Sequence, residues 1–122
     1  MLIRHSDAVE PRAMEIDGAK GVSLRVLVGS ADGAPTFAMR HFTVAGSGHT
    51  PRHSHNYEHE VFILQGSGRL VLDEKGQPLE PGDAVYIPPN ATHQFINTGA
   101  VPLKFLCLVP TSFDCGTPTP GS

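Results

Sequence analysis

Three histidines stand at odd positions, His53, His55 and His59, in the run from His53 to Gly66, and a single His93 follows downstream. In an extended chain, side chains two apart share a face, so His53 and His55 would lie about 7 Å apart on one side of the backbone. Two imidazoles at that separation can tilt toward one ion held about 2 Å from each nitrogen. His59 keeps the same parity if the chain returns to register after Asn56-Tyr57, whereas Glu60 takes the opposite parity and points away. The pattern predicts a metal held by histidines inside a small β-barrel. A surface histidine cluster that chelates by accident is the plain alternative.

The elements that must position these side chains read as short strands. A chain of 122 residues has room for one core. Its 13 glycines and 11 prolines favour tight turns over long helices. No window carries a sustained helical period, and there is no internal repeat. Strands are expected at 21–29, 36–44, His53 to about Leu64, 69–73, around 83–87, 93–97 and 103–109. The intervening turns lie at Ser30–Pro35, Ala45–Gly48, Gly66–Gly68, Glu74–Gly76 and Thr98–Pro102. This spacing defines an all-β sandwich or barrel over residues 20–110, with a polar lead-in at 1–19. Residues 111–122 are rich in Pro, Thr, Ser and Gly and read as a mobile tail.

Composition narrows the partners. The net charge is −3 and no basic block exists, which argues against nucleic acid and anionic membranes. No apolar stretch approaches a membrane span, and the first residues lack a signal peptide's apolar core. Cys107 and Cys115 do not make a disulfide framework, so the cytoplasm is the expected compartment. Neither a hydrolytic triad nor a Gly-rich phosphate loop is present.

The chain resembles the cupin superfamily. That family's first motif runs glycine, His-x-His, three or four residues, an acid, six residues and a glycine. Here it is matched from Gly46 or Gly48 through His53, His55 and Gly66, with one residue's departure in the first spacing. The second motif is matched at every spacing by Gly82, Pro88, Asn90, His93 and Asn97, with Asn90 in place of a glycine. Asn tolerates positive φ better than most residues, so that turn can survive. Counting back six residues from Gly66 lands on His59, not Glu60, which puts a fourth histidine in the acidic ligand's slot. The resemblance is to small four-histidine, manganese-type bacterial cupins. It implies a jelly-roll barrel, a homodimer, a small-molecule substrate, and one divalent metal on His53, His55, His59 and His93.

Four neutral imidazoles leave the ion its full charge and a strong Lewis acidity. Family likeness favours Mn or Fe, whereas imidazole softness also admits Zn, Ni or Cu. Parity puts Phe95 on the face of His93, and Phe105, Cys107 and Val109 on one face of the last strand. These four are the expected pocket wall for a phenolic or enolic substrate. Arg40 and Cys107 are candidate catalytic groups. Arg40 would anchor a carboxylate or phenolate, unless it serves a rim ion pair, and Cys107 is otherwise a small buried hydrophobe. The expected function is a metal-dependent, dioxygenase-like oxidoreductase. A non-catalytic binding or sensing cupin and a metal-dependent isomerase are the alternatives. Histidine ligands must be neutral, which places metal loss below roughly pH 6.

Overall fold

The computed structural model describes residues 1–114. Nine strands run in chain order: β1 (Arg12–Ala13), β2 (Lys20–Val28), β3 (Phe37–His49), β4 (His59–Gln65), β5 (Gly68–Leu72), β6 (Lys75–Leu79), β7 (Ala84–Ile87), β8 (His93–Asn97) and β9 (Leu103–Pro110). The described residues contain only short 3-10 turns besides, and no helix long and apolar enough to cross a membrane.

Every pairing is antiparallel. The order is β6-β5-β8-β3-β9-β4-β7, with β2 on the other edge of β3. β3 organises the curl. Residues 37–44 pair with β9, while His49 at its far end pairs with Ile96 of β8. One strand thus feeds both halves of the curled sheet.

Strict alternation then decides what faces inward. On β3 the inner set is Ala38, Arg40, Phe42 and Val44, and on β9 it is Leu103, Phe105, Cys107 and Val109, all buried. Register puts Phe42 opposite Phe105 and Arg40 opposite Cys107. Phe105 stacks on Phe42 at 5.2 Å and on Phe95 of β8 at 4.6 Å, joining the two halves. Asn97 closes the far end of β8. Its amide donates to the Val44 and Val101 carbonyls and its oxygen accepts from the Gly99 amide, all within 2.9 Å. Gly66, at φ 89°, turns β4 toward β5. A Cβ there would fall 2.5 Å from the Pro102 carbonyl oxygen, so both conformation and space demand glycine.

The structure corrects several expectations. The histidine strand does not start at His53: residues 50–58 are irregular, and regular pairing begins at His59. Ala45–Gly48 is not a loop, because β3 continues to His49 across a register shift against β2. The turn expected at Glu74–Gly76 lies one residue earlier, at Asp73-Glu74, both at positive φ (50° and 89°). This is the two-residue hairpin geometry matched to strand twist. Gly76 signals a close approach rather than a turn, since the Arg69 guanidinium occupies the space its Cβ would need.

The stretch read as tail begins packed. Thr111–Phe113 form a 3-10 turn, and buried Asp114 accepts from the Ser30 amide at 2.6 Å. Cys115 and the rest of that stretch lie outside the described residues.

Candidate metal centre

Two strands and one loop bring the histidines together. β4 opens with His59, and its odd residues His59, Val61 and Ile63 are buried while Glu60 is exposed on the opposite face. β8 opens with His93, which shares its inward face with Phe95 and Asn97. His53 and His55 sit in the irregular 50–58 segment. The two residues His53 and His93 exchange backbone hydrogen bonds (3.1 and 2.9 Å), and the Asn90 amide donates to the His55 carbonyl at 2.6 Å. Asn90 holds φ at 69°, the conformation foreseen for the residue in the glycine position. His53 and His55 therefore meet His93 through these backbone ties, not through strand parity.

The ligand nitrogens of His53, His55 and His93 lie within 4.8 Å of one another. Nitrogens on opposite sides of one ion are about 4.2 Å apart, so the three can hold a metal with little adjustment. His59 stands beside them, its ring centroid 5.0 Å from those of His55 and His93. His53 Nδ1, His55 Nε2 and His59 Nε2 are buried with no hydrogen-bond partner. Buried polar atoms are seldom left so, and three in one cluster fit a bound cation. His93 Nδ1 lies 3.0 Å from the Ala91 carbonyl, a bond that makes it the N–H and leaves Nε2 a bare lone pair.

Burial, then the charge of neighbouring histidines and Arg40, holds His53 down to about 3 and His59 to about 2. Burial, then His93 and Arg40, holds His55 to about 4. His93 is lowered as well, chiefly by burial. All four are neutral at neutral pH, the form that ligates metal. For His53, His55 and His59 these values move the expected proton competition below pH 6.

Next to the cluster is a cavity of about 20 Å³, room for one water or one ion. It is lined by Arg40, Phe42, Thr50, His53, His59, His93, Phe95, Phe105 and Cys107. Phe95, Phe105 and Cys107 thus stand where parity put them. Val109 shares their inward face but does not line this cavity; it is buried and borders a separate groove with Phe37, Glu58 and Glu60. Arg40 is fully buried, its guanidinium 4.9 Å over the Phe42 ring, so it is no rim residue.

Sequence reasoning missed Phe42, Thr50 and Tyr57. Phe42 was readable, since it shares the parity of Arg40. Thr50, whose hydroxyl accepts from the Phe95 amide at 2.9 Å, carries no local signal. Tyr57 stacks almost parallel on His55 (4.7 Å), His59 (5.3 Å) and Phe113 (3.9 Å). His41 falls on the opposite face of β3 from Arg40 and Phe42, paired in register with Arg25 and Leu106, and takes no part in the cluster.

A curled antiparallel sheet that gathers histidines able to hold a metal ion at its inner side is the architecture, and the family comparison agrees with the fold. The cupin domain family matches residues 40–109, and this chain belongs to it. The polyketide cyclase RemF from Streptomyces resistomycificus has a similar structure, with a TM-score of 0.86 and 34% identity, covering 91% of this chain and 80% of that one. A cupin 2 domain-containing protein from Halorhodospira halophila is 43% identical, with a TM-score of 0.69, over 72% of this chain and 62% of its own. Glucose-6-phosphate isomerase from Pyrococcus abyssi is 37% identical over 73 residues, 53% of this chain and 39% of the isomerase. The chain spans less than half the length of the curated relatives it matches.

Proposed function

We propose that this protein is a four-histidine cupin enzyme. In this reading His53, His55, His59 and His93 hold one divalent metal, and the substrate is a small enolisable carbonyl or phenolic compound. The reaction is a non-oxidative ring closure of a β-dicarbonyl chain. The observation that carries this is the trio of buried, unpartnered imidazole nitrogens beside a cavity whose lining includes no carboxylate. A bound divalent ion supplies undiminished Lewis acidity toward a carbonyl or enolate oxygen. Phe42, Phe95 and Phe105 keep bulk water from that position, and buried Arg40 adds a fixed positive charge that favours an enolate. Only the reacting end of a substrate can enter 20 Å³, so the rest of the molecule stays at the mouth.

The likeness to a polyketide cyclase supports ring closure over the oxygenase expected from the sequence, which would use the same site. Sugar isomerisation finds less support, because the carbon acid next to a sugar's carbonyl is far weaker than a β-dicarbonyl methylene and needs a stronger proton-transferring base, and the lining offers no carboxylate. Mn or Fe remains the expected metal, and Zn serves equally for Lewis-acid work. A homodimer is part of the same reading. Its support is the exposed Phe62, Leu64 and Tyr86 on the outer face of β4 and β7.

The test is elemental analysis of protein purified without added metal, then turnover of a linear poly-β-carbonyl thioester under air and under argon. Products lighter by one water, formed equally under both gases, are expected. Oxygen uptake with incorporation into product would replace this reading with the oxygenase. Tight binding without product would replace it with a sensing module, and protein that binds no divalent metal would end it.

A further inference from the structure

We infer that Cys107 is a positioning residue for His59, its sulfur fixing which ring nitrogen of that histidine carries the proton. The inference rests on the proposed reading in one respect, that His59 is a ligand. Cys107 Sγ lies 3.5 Å from His59 Nδ1 and 3.1 Å from Arg40 Nη2. Strand register builds the contact. Arg40 is directly opposite Cys107 across β3 and β9, and Val61 is opposite Cys107 across β9 and β4. His59, two residues before Val61, reaches the sulfur diagonally on the same inward face. Arg40, Cys107 and His59 are exposed by only 0%, 2% and 4%.

Chemistry gives the contact a direction. A guanidinium can only donate, so the sulfur accepts from Arg40. If the thiol instead donated a hydrogen bond to His59 Nδ1, the ring's own proton would sit on Nε2, buried and without a partner, where it would block ligation. With Nδ1–H donating to sulfur, Nε2 presents a lone pair to the cluster. His93 shows the same device made with backbone, its Nδ1 bonded to the Ala91 carbonyl. Metal-bound histidines depend on such partners for ring orientation, and losing one costs about 10–100-fold in metal affinity. Cys107 supplies with a sulfur what Ala91 supplies with an oxygen.

Histidine-labelled protein without metal tests this directly by nitrogen NMR, since the two tautomers give distinct shifts. His59 is expected as the Nδ1–H form. In Cys107→Val, which keeps bulk but cannot accept, His59 should become a mixture of tautomers while His93 stays unchanged. Zinc affinity should fall about 10–100-fold. Cys107→Ser should recover most of that loss, and Cys107→Ala should follow Val, which separates the missing acceptor from crowding. Melting of the metal-free forms checks that each variant folds. An Nε2–H tautomer in the unmutated protein, or unchanged zinc affinity in both Val and Ala variants, would overturn the inference. His59→Ala binding zinc like the unmutated protein would instead remove His59 from the proposed ligand set, and the metal-free tautomer would still decide the role of Cys107.

Discussion

The histidine cluster has two halves built in different ways. His59 and His93 open β4 and β8, are almost fully buried, and each has its second nitrogen in contact with a neighbour inside the barrel. His53 and His55 ride on the irregular 50–58 segment, are half-buried, and make no side-chain hydrogen bond among the described residues. Their rings lean on each other at 4.3 Å, and that of His55 stacks on Tyr57. The strand half is fixed by the same core that stabilises the fold. The loop half is held by a few backbone bonds and ring stacking, so it can adjust to an ion. Precision in such a site comes from the sheet and capture from the loop.

The largest effect should come from breaking the frame of the strand half. Phe105 is the ring through which Phe42 and Phe95 meet, and a Phe→Ala change in a core costs about 3–5 kcal/mol. Phe105→Ala should therefore lose stability of that order in urea unfolding. A loss below about 1 kcal/mol would mean the frame is not where the fold's stability lies.

The ligands come next. His59→Ala and His93→Ala should each weaken metal binding by more than the roughly 100-fold that losing a supporting contact costs. His53→Ala and His55→Ala should cost less, because the irregular, half-buried segment that carries them can let water take the vacated position. Glu60→Ala should change nothing, because its side chain is on the outer face. Calorimetric titration with zinc ranks all five, and equal loss in the Glu60 and His59 variants would reverse the assignment.

Acid should act on the cluster through its buried, neutral imidazoles. An unfolded histidine titrates near 6.5, while the folded values are about 4 for His55, about 3 for His53 and about 2 for His59. Between those limits the unfolded chain holds more protons. Stability of the metal-free fold therefore falls as pH drops below about 6.5, each excess proton adding a slope near 1.4 kcal/mol per pH unit. The contribution is fully present above 6.5 and is gone once pH has passed the folded values. In the loaded protein, protons compete with the metal for the same neutral imidazoles, and because all four are held below their ordinary value, metal should stay bound below pH 6. Dialysis at stepped pH followed by elemental analysis reads this, and release complete at pH 6 would contradict the buried, neutral site.

What could be read beforehand follows from how local each cause is. The histidine spacings, Gly66 and the positive-φ turn at Asn90 are local, so the cluster and its turns were legible in the sequence. Parity served on β4, β8 and β9, where pairing is regular, and placed Phe95, Phe105 and Cys107 correctly. It failed where a tertiary contact overrides the local pattern. Gly76 reads as a turn until Arg69 is seen across it, and Ala45–Gly48 reads as a loop until β2 pairs alongside. Thr50 enters the site only because the Phe95 amide, 45 positions away in sequence, needs an acceptor. His53 and His55 came together as expected for a reason parity does not contain, the bridge to His93.

The smallest effect should separate capture from precision most cleanly. Tyr57 stacks on His55 and His59 from the loop side and is backed by Phe113 at 3.9 Å, yet it does not line the cavity. An aromatic pair contributes about 0.5–1.5 kcal/mol beyond area burial, which is roughly 2–10-fold in an equilibrium constant. Tyr57→Leu keeps apolar bulk and loses the stacking plane. It should weaken zinc binding within that range, leave unfolding of the metal-free protein almost unchanged, and act through faster dissociation, because the frame that receives the ion is intact while the loop that closes on it is looser. Stopped-flow transfer of zinc to a chelator measures that rate directly. An unchanged off-rate would show that the loop is held by its backbone bonds alone, and a loss as large as that of His93→Ala would show that Tyr57 belongs with the frame.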